Sequence, residues 1–335
     1  MLDISNEIPT KTFQIIAHKL VAKYPKSFQD YDDDGMVIGN GLITICNQLK
    51  ERYKYLKVTH KRNSPVESTL PVPINKRKKL LSAKAGCVDW QPSPCGSNED
   101  NEIKEKLKEI DLENWSDESV MELLQKSYAQ QRYFINKTPT VIDIKNEWPI
   151  LLKSVGIKFH FKRLMNKSID LLSKNLFLKS ENIINFGIKR HIIKSRPTEN
   201  NEIIKCVLSI ISKYFAEDVC EIFSEEEDFS SLEDIISPKI ITKTEGDGTK
   251  RYNIVMEQEI INTYLEMDQA LNEVFALYFM FNLEYPKKSS LTWEFIQFFF
   301  LKIYPQIGSK NLKKNSQTKI IGFFHKLQKV NSLIV

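Results

Sequence analysis

The stretch that decides the fold is residues 268–305, DQALNEVFALYFMFNLEYPKKSSLTWEFIQFFFLKIYP. Two runs in it, DQALNEVFALYFMFNLEYP and LTWEFIQFFFLKIYP, are apolar on nearly every face of a helix, and each ends at a Tyr-Pro pair. A helix that is apolar all round is buried, and proline ends a helix because it lacks the amide donor. The stretch therefore predicts two core helices, with Asp268 and Thr292 as N-caps, that pack as an antiparallel hairpin.

A third apolar pattern, residues 200–223, predicts another core helix that begins at Thr198 or Asn200. We expect the aromatic rings of the C-terminal pair to pack against each other and against this helix. The rings that carry this prediction are those of Phe275, Phe279, Trp293, Phe298 and Phe299.

The fold class predicted for the whole chain is mainly α, a multi-helix domain with one small β-hairpin and a short N-terminal helical module. The hairpin is predicted in PKIITKTEGDGTKRYNIVME, where two β-prone runs flank a Gly-Asp-Gly turn. Helical periodicity is lost in a segment that contains five prolines, which is typical of a linker. We divide the chain into an N-terminal helical module (1–60), a Pro-rich basic linker (61–101), an aromatic-rich helical domain (102–307) and a basic C-terminal tail (308–335).

Composition is that of a globular protein with a mild excess of positive charge. The 335 residues are 41% hydrophobic and 27% charged, with a formal net charge of +5. The N-terminal sequence lacks the pattern of a signal or transit peptide, and no apolar run is long enough to span a bilayer. Five scattered cysteines do not form a disulfide framework. The sequence therefore predicts an intracellular protein without a membrane partner.

Two patterns resemble metal sites but lack ligands that such sites need. DYDDDG, residues 30–35, begins like a calcium loop, but Gly41 stands where the loop needs a bidentate carboxylate. Cys87 and Cys95 are too far apart for a close pair of zinc ligands, and no second pair is near. We predict neither a metal nor a cofactor.

The sequence also lacks the residue patterns that are typical of catalytic sites. None of the five histidines stands in a pattern with a nucleophile or a carboxylate, and no Gly-rich phosphate loop is present. We therefore predict that the chain is not an enzyme and has no catalytic residues.

A basic cluster in the linker has the form of a nuclear import sequence. Lys76, Arg77, Lys78 and Lys79 are consecutive and lie in a Pro-flanked segment. An import receptor reads such a cluster as an extended, exposed peptide. The alternative is an incidental basic linker. We favour import, which predicts a nuclear import receptor as a partner and the nucleus as the location.

A second basic group falls in one helical region and suggests nucleic-acid binding. Its members are Lys153, Lys158, Lys162, Arg163 and Lys167. Such cations would bind phosphates without sequence preference. The alternative is pairing with the acidic blocks of the same chain. One coherent positive face would favour nucleic acid, whereas cations paired within the chain would favour a protein scaffold.

Several strings together resemble one family of animal proteins labelled sterile alpha motif domain-containing protein 3-like. They are PTKTFQIIAHKLVAKYP, KRKKLLSAKAGCVDWQPS, QRYFINKTPTVIDIKNEWPILL, HFKRLMN and VFALYFMFNLEYPKKSSLTWEFIQFFFLKIYP. The resemblance implies a mainly helical protein with no established activity and no catalytic residues to carry over. No sterile alpha motif domain is recognisable. The leading interpretation is a non-catalytic nuclear protein that interacts with another protein, and the alternative is a DNA- or RNA-binding module that uses residues 153–179 or the N-terminal helices.

Overall fold

The computed structural model describes residues 10–31, 37–39, 41–42, 45–46, 48–50, 52–53, 98–110, 117–225, 235–303 and 316–331. The chain divides into two compact units. The first joins Met1–Leu81 to Lys314–His325, and the second joins Ser82–Lys313 to Lys326–Val335. The predicted linker lies outside the described residues except at its C-terminal end, where a helix begins at Asn98.

The first unit is built around helix α1, Thr10–Lys23. Phe13, Ala17 and Val21 follow each other at helical spacing and form a buried cluster with Ile45 and Cys46. Along the chain between α1 and Ile45 lie a short helix and two paired strands: α2 (Pro25–Phe28), β1 (Asp30–Tyr31) and β2 (Val37–Gly39). The spacing of apolar residues from Ile38 to Leu56 predicts a second helix in this module, but Ile38 belongs to β2 and helical residues start at 42.

A C-terminal helix also contributes to this unit. Helix α12, Ser316–Asn331, lies in the segment predicted as a basic tail, and its residues up to His325 belong to the first unit. Two helices alone bury too little surface for a core, and α12 adds a further element to this unit. The apolar residues that α12 buries are Ile320, Ile321, Phe323, Phe324 and Leu327, of which the first four belong to the first unit.

The second unit is mainly helical, as predicted. Its helices are α3 (Asn98–Lys108), α4 (Asp117–Lys126), α5 (Tyr128–Ile135), α6 (Val141–Glu147), α7 (Ser154–Met165), α8 (Leu171–Lys189), α9 (Asn200–Phe215), α10 (Met267–Met280) and α11 (Ser290–Phe299). Single 3₁₀ turns follow α6 at Pro149–Leu152 and α9 at Val219–Glu221.

Helix α9 ends eight residues before the predicted boundary at 223, at Phe215. Ala216 adopts a left-handed conformation with φ of 53°, and the amide of Glu217 donates to the carbonyl of Ser212 at 2.9 Å. This geometry closes a helix even though no glycine marks the position. The N-cap is Glu199, not the predicted Thr198 or Asn200.

A four-stranded sheet replaces the single hairpin of the prediction. Its strands, in sheet order, are β3 (Phe223–Glu225), β4 (Lys239–Thr244), β5 (Lys250–Met256) and β6 (Glu259–Tyr264). The predicted hairpin is β4–β5, and β3 pairs in parallel with β4. Strand β6 follows a tight turn in which Glu257 and Gln258 have φ of 49° and 68°. Such turns usually carry Asn or Gly, so this one leaves no mark in the sequence.

The predicted aromatic core is confirmed. All five predicted rings are buried, and Trp293 of α11 lies 6.1 Å from the ring of Phe275 and 5.3 Å from that of Tyr278, centre to centre. The ring centres of Phe215 in α9 and Phe295 in α11 are 6.0 Å apart. Helices α9, α10 and α11 therefore share one core, and edge-on and stacked ring contacts add to its hydrophobic burial.

The N-terminus of α11 is capped by a residue from outside the helix. Its N-cap is Ser289, which makes no side-chain capping bond, so the prediction of Thr292 was wrong. The carboxylate of Glu217 instead accepts from the amides of Leu291 at 3.0 Å and Thr292 at 2.8 Å, and from the Thr292 hydroxyl at 3.0 Å. For α10 the N-cap is Glu266 instead of the predicted Asp268. A carboxylate at a helix N-terminus satisfies free amides and stabilises the helix dipole.

Candidate functional site

The predicted import cluster, Lys76, Arg77, Lys78 and Lys79, lies outside the described residues. Its role as an import sequence stays a prediction.

The predicted nucleic-acid residues lie on and beside α7, and several are bonded within the chain. Lys158 forms an ion pair with Asp170 at 3.2 Å. Arg163 donates to the side-chain oxygen of Gln125 at 3.0 Å, and its guanidinium lies 5.0 Å from the centre of the Tyr128 ring. Both cations are thus partly occupied by groups of the same unit.

Lys167 has a structural position at the end of α11. Its ammonium donates to the carbonyls of Leu301 at 2.8 Å and Lys302 at 3.0 Å. Burial, followed by the charge of Lys302, lowers the pKa of Lys167. Lys153 and Lys162 are exposed. The five predicted cations therefore do not form one free face, because three of them bind groups of this chain.

Buried polar side chains join α4, α5 and α7 through one directed chain of hydrogen bonds. Ser127 donates to the carbonyl of Leu123 at 2.7 Å, and Gln131 donates to the Ser127 hydroxyl at 2.6 Å. The oxygen of Gln131 is left to accept from Nε2 of His160, 2.6 Å away. This order fixes the neutral tautomer of His160 that carries its proton on Nε2.

The environment of His160 keeps it neutral. Burial, followed by the positive charge of Arg132, lowers the pKa of His160 well below its usual value. Its Nδ1 has no hydrogen-bond partner among the described residues, so a second proton there would be unpaired. His160 therefore has a structural role.

Arg132 connects this part of the chain to the aromatic core. Its buried guanidinium donates to the carbonyl of Met280 at 2.6 Å and to the side-chain oxygen of Asn136 at 3.1 Å. Met280 is the last residue of α10, where a cation compensates the negative end of the helix dipole. These buried groups are thus used for packing and do not reach a ligand.

An open cleft of about 850 Å³ lies beside α9. One wall is the α9 face that carries Glu202, Lys205, Cys206, Ser209 and Lys213. The rest of the lining comes from the loop between α8 and α9 and from two strands: Ile193, Lys194, Ser195, Arg196, Pro197, Thr198, Glu199, Phe223 and Lys250.

Lys205 lies at the buried side of the cleft. It is 8% exposed, and its ammonium binds Glu225 at 2.6 Å and Glu202 at 3.3 Å. Burial alone would lower the pKa of Lys205, but the Glu225 hydrogen bond and the two carboxylate charges outweigh it and raise that pKa. Lys205 is therefore a permanent cation. Its ammonium also lies 5.9 Å from the ring centre of Tyr252, whose buried hydroxyl has no hydrogen-bond partner among the described residues.

The rim of the cleft carries further cations, of which two are exposed and unpaired. The guanidinium of Arg196 donates to the side-chain oxygen of Asn185 and forms an ion pair with Glu181. The ammonium of Lys250 lies 3.9 Å from the carboxylate of Glu202. Lys194 and Lys213 are exposed and have no ion-pair partner among the described residues. The rim therefore presents free positive charge to solvent.

The one thiol of the cleft is not activated. Burial and then the charge of Glu202 raise the pKa of Cys206, so the thiol stays protonated near neutral pH. Within the described ranges, no group of three or more His, Cys, Asp or Glu side chains is placed to hold a metal ion. The cleft thus offers charge and hydrogen bonds, and its surroundings disfavour the thiolate of Cys206.

Sequence reasoning missed this cleft. Its residues come from a loop, one face of α9 and the strands β3 and β5, and no spacing along the chain connects them. One pattern was available: Lys205 interrupts the apolar stripe of α9 at a position that a helix buries. A lysine is rarely buried unless it is paired, so this position indicated an ion pair.

Among the described residues, no helix combines the length and the apolar character that crossing a lipid bilayer requires.

Comparison with known proteins identifies one similar segment. Residues 97–153, which contain helices α3 to α6 and the 3₁₀ turn after them, match the family model of the sterile alpha motif domain-containing protein 3, helical domain. A search of curated proteins and a search of solved structures each found no match. The family match supports the resemblance that the sequence motifs indicated: in this segment the chain is similar to sterile alpha motif domain-containing protein 3-like proteins.

Proposed function

We propose that the protein is a non-catalytic interaction protein that binds another protein in the nucleus. The observation that carries the proposal is the pairing of the cations around α7. Lys158, Arg163 and Lys167 are bonded within the chain, which is the arrangement expected of a scaffold. The similarity of residues 97–153 to the helical domain of sterile alpha motif domain-containing protein 3 supports a role in protein interaction.

The test is recovery of partners from nuclear extract by the purified, tagged chain, with and without nuclease treatment. We expect the same proteins in both samples, because contacts between proteins do not need a nucleic-acid bridge. Loss of every partner after nuclease treatment would contradict the proposal and favour the nucleic-acid alternative.

The nuclear part of the proposal depends on the basic cluster of the linker. Replacing Lys76, Arg77, Lys78 and Lys79 with alanine removes four consecutive cations that a receptor would bind. We expect the tagged variant to leave the nucleus, as seen by fluorescence microscopy. The matched control replaces four lysines of the C-terminal segment with alanine, Lys310, Lys313, Lys314 and Lys319, and we expect it to leave the location unchanged. A quadruple variant that still accumulates in the nucleus would refute the import role.

The nucleic-acid alternative has one favourable observation, the exposure of Lys153 and Lys162. Binding to phosphates weakens steeply as salt rises. Fluorescence anisotropy with a labelled oligonucleotide at several salt concentrations measures this directly. Salt-dependent binding that disappears in Lys153→Glu/Lys162→Glu would establish the alternative.

A further inference from the structure

We infer that the cleft beside α9 binds an acidic peptide segment of a partner protein. The inference rests on the proposed function and names the chemistry of the partner. It depends on three features of the cleft: the balance of its charges, a carboxylate that already binds there, and apolar residues between the cations.

The charge of the cleft is positive. Its lining contains five cations and two carboxylates: Lys194, Arg196, Lys205, Lys213 and Lys250 against Glu199 and Glu202. Two further carboxylates bind cations of the lining, Glu225 on Lys205 and Glu181 on Arg196, so one positive charge remains in excess. The exposed cations without an ion pair among the described residues are Lys194 in the loop before α9 and Lys213 on α9. A negatively charged ligand is attracted to such a cleft and is bound more weakly as salt rises.

A carboxylate of the chain already shows how such a ligand binds. Glu225, at the end of β3, places its carboxylate 2.6 Å from the ammonium of Lys205. It is the first of four consecutive acidic residues, EEED. A carboxylate on an extended strand therefore binds the most buried cation of the lining, and the exposed Lys194 and Lys213 are left for a carboxylate of the partner.

The lining favours a peptide over nucleic acid. Ile193, Pro197 and Phe223 supply partly buried apolar surface between the charged groups. A peptide can alternate apolar side chains with carboxylates and so match both. A phosphate backbone carries a charge at every nucleotide, and it would approach Glu199 and Glu202 as well as the cations. An acidic peptide with at least one apolar side chain therefore fits the lining better.

The experiment measures binding of a defined probe to the full chain. The probe is a short fluorescein-labelled peptide of glutamates around a central phenylalanine, and its titration is followed by anisotropy at low salt. We expect saturable binding that weakens with salt. Lys194→Glu/Lys213→Glu should weaken it on the order of tenfold, because two exposed charges are reversed.

The matched control is Lys153→Glu/Lys162→Glu, which makes the same change of net charge on α7. We expect the control to bind the probe like the native chain. All four positions are exposed, so both variants should unfold at the native midpoint, and circular dichroism verifies this. The inference is overturned if the native chain does not bind the probe, or if the two variants weaken binding equally.

Two further arms separate the alternatives. A labelled single-stranded oligonucleotide that binds in the cleft more tightly than the peptide would replace the inference with a nucleic-acid site. Partner recovery from nuclear extract with Lys194→Glu/Lys213→Glu separates this inference from the proposed function. If nuclease-resistant partners are recovered at native levels, the interaction function stands and the cleft inference fails.

Discussion

Replacing Glu217 with alanine tests whether the N-terminus of α11 is held from outside the helix. The native carboxylate accepts three hydrogen bonds shorter than 3.1 Å, from the amides of Leu291 and Thr292 and from the Thr292 hydroxyl. Every residue of α11 is buried, so water has poor access to these donors once the carboxylate is gone. The variant therefore leaves two backbone amides without a partner in the core.

The magnitude follows from the number and charge of these bonds. Loss of an ordinary N-cap costs about 1–2 kcal/mol, and a hydrogen bond to a charged group contributes about 1.5–3 kcal/mol. With two buried amides affected, we expect Glu217→Ala to lower the free energy of unfolding by about 3 kcal/mol. Glu217→Gln keeps one acceptor oxygen and loses the charge, so we expect about half of that loss.

Urea denaturation followed by circular dichroism measures both variants. Glu284→Ala is the matched control, because Glu284 is an exposed glutamate in the loop between α10 and α11. We expect the control to stay within about 0.5 kcal/mol of the native chain. If Glu217→Ala costs no more than Glu284→Ala, the carboxylate does not hold the helix and the reasoning is refuted.

Phe298→Ala and Phe299→Ala should each lower the free energy of unfolding by about 3–5 kcal/mol in urea denaturation, because the two rings are only 7% and 5% exposed; a neutral result for either would mean that its face of α11 is open in solution. The pKa of His160 is lower in the folded chain than in the unfolded chain, so the unfolded chain binds a proton first as pH drops. The free energy of unfolding should therefore fall below pH 6.5, by at most about 1.4 kcal/mol per pH unit. His160→Leu should remove this component, and an unchanged slope between pH 7 and 5 would show that the His160 contribution is negligible.

Sequence patterns predicted best those elements in which runs of consecutive apolar residues indicate burial. Helices α10 and α11 are apolar on nearly every face, and such runs have no stable position except in a core. Strand β6 was missed for the opposite reason. Its turn uses Glu257 and Gln258 in left-handed conformations, and the amides of both residues donate to the carbonyls of Ile236 and Ile235. Tertiary hydrogen bonds support a turn that its own residues do not favour.

Helix ends were predicted less well because long-range contacts form them. Thr292 was predicted to cap α11, yet the cap is Glu217, 75 positions earlier in the chain. The last carbonyl of α10 is bound by Arg132, 148 positions earlier. Capping rules use neighbouring residues, so they cannot find a cap that arrives from another element.

The cleft shows why a candidate site can escape prediction even when part of its lining follows a regular pattern in the sequence. Glu202, Cys206, Ser209 and Lys213 recur at helical spacing on α9, opposite the apolar stripe that packs into the core. Such a polar stripe is typical of a face in water, and nothing in α9 distinguishes an open face from the wall of a cleft. The difference comes from the loop at 193–199 and from Lys250, which close over that face only in the folded chain. Because the same helix faces the core on its other side, only exposed rim residues such as Lys194 and Lys213 test the cleft without disturbing the fold.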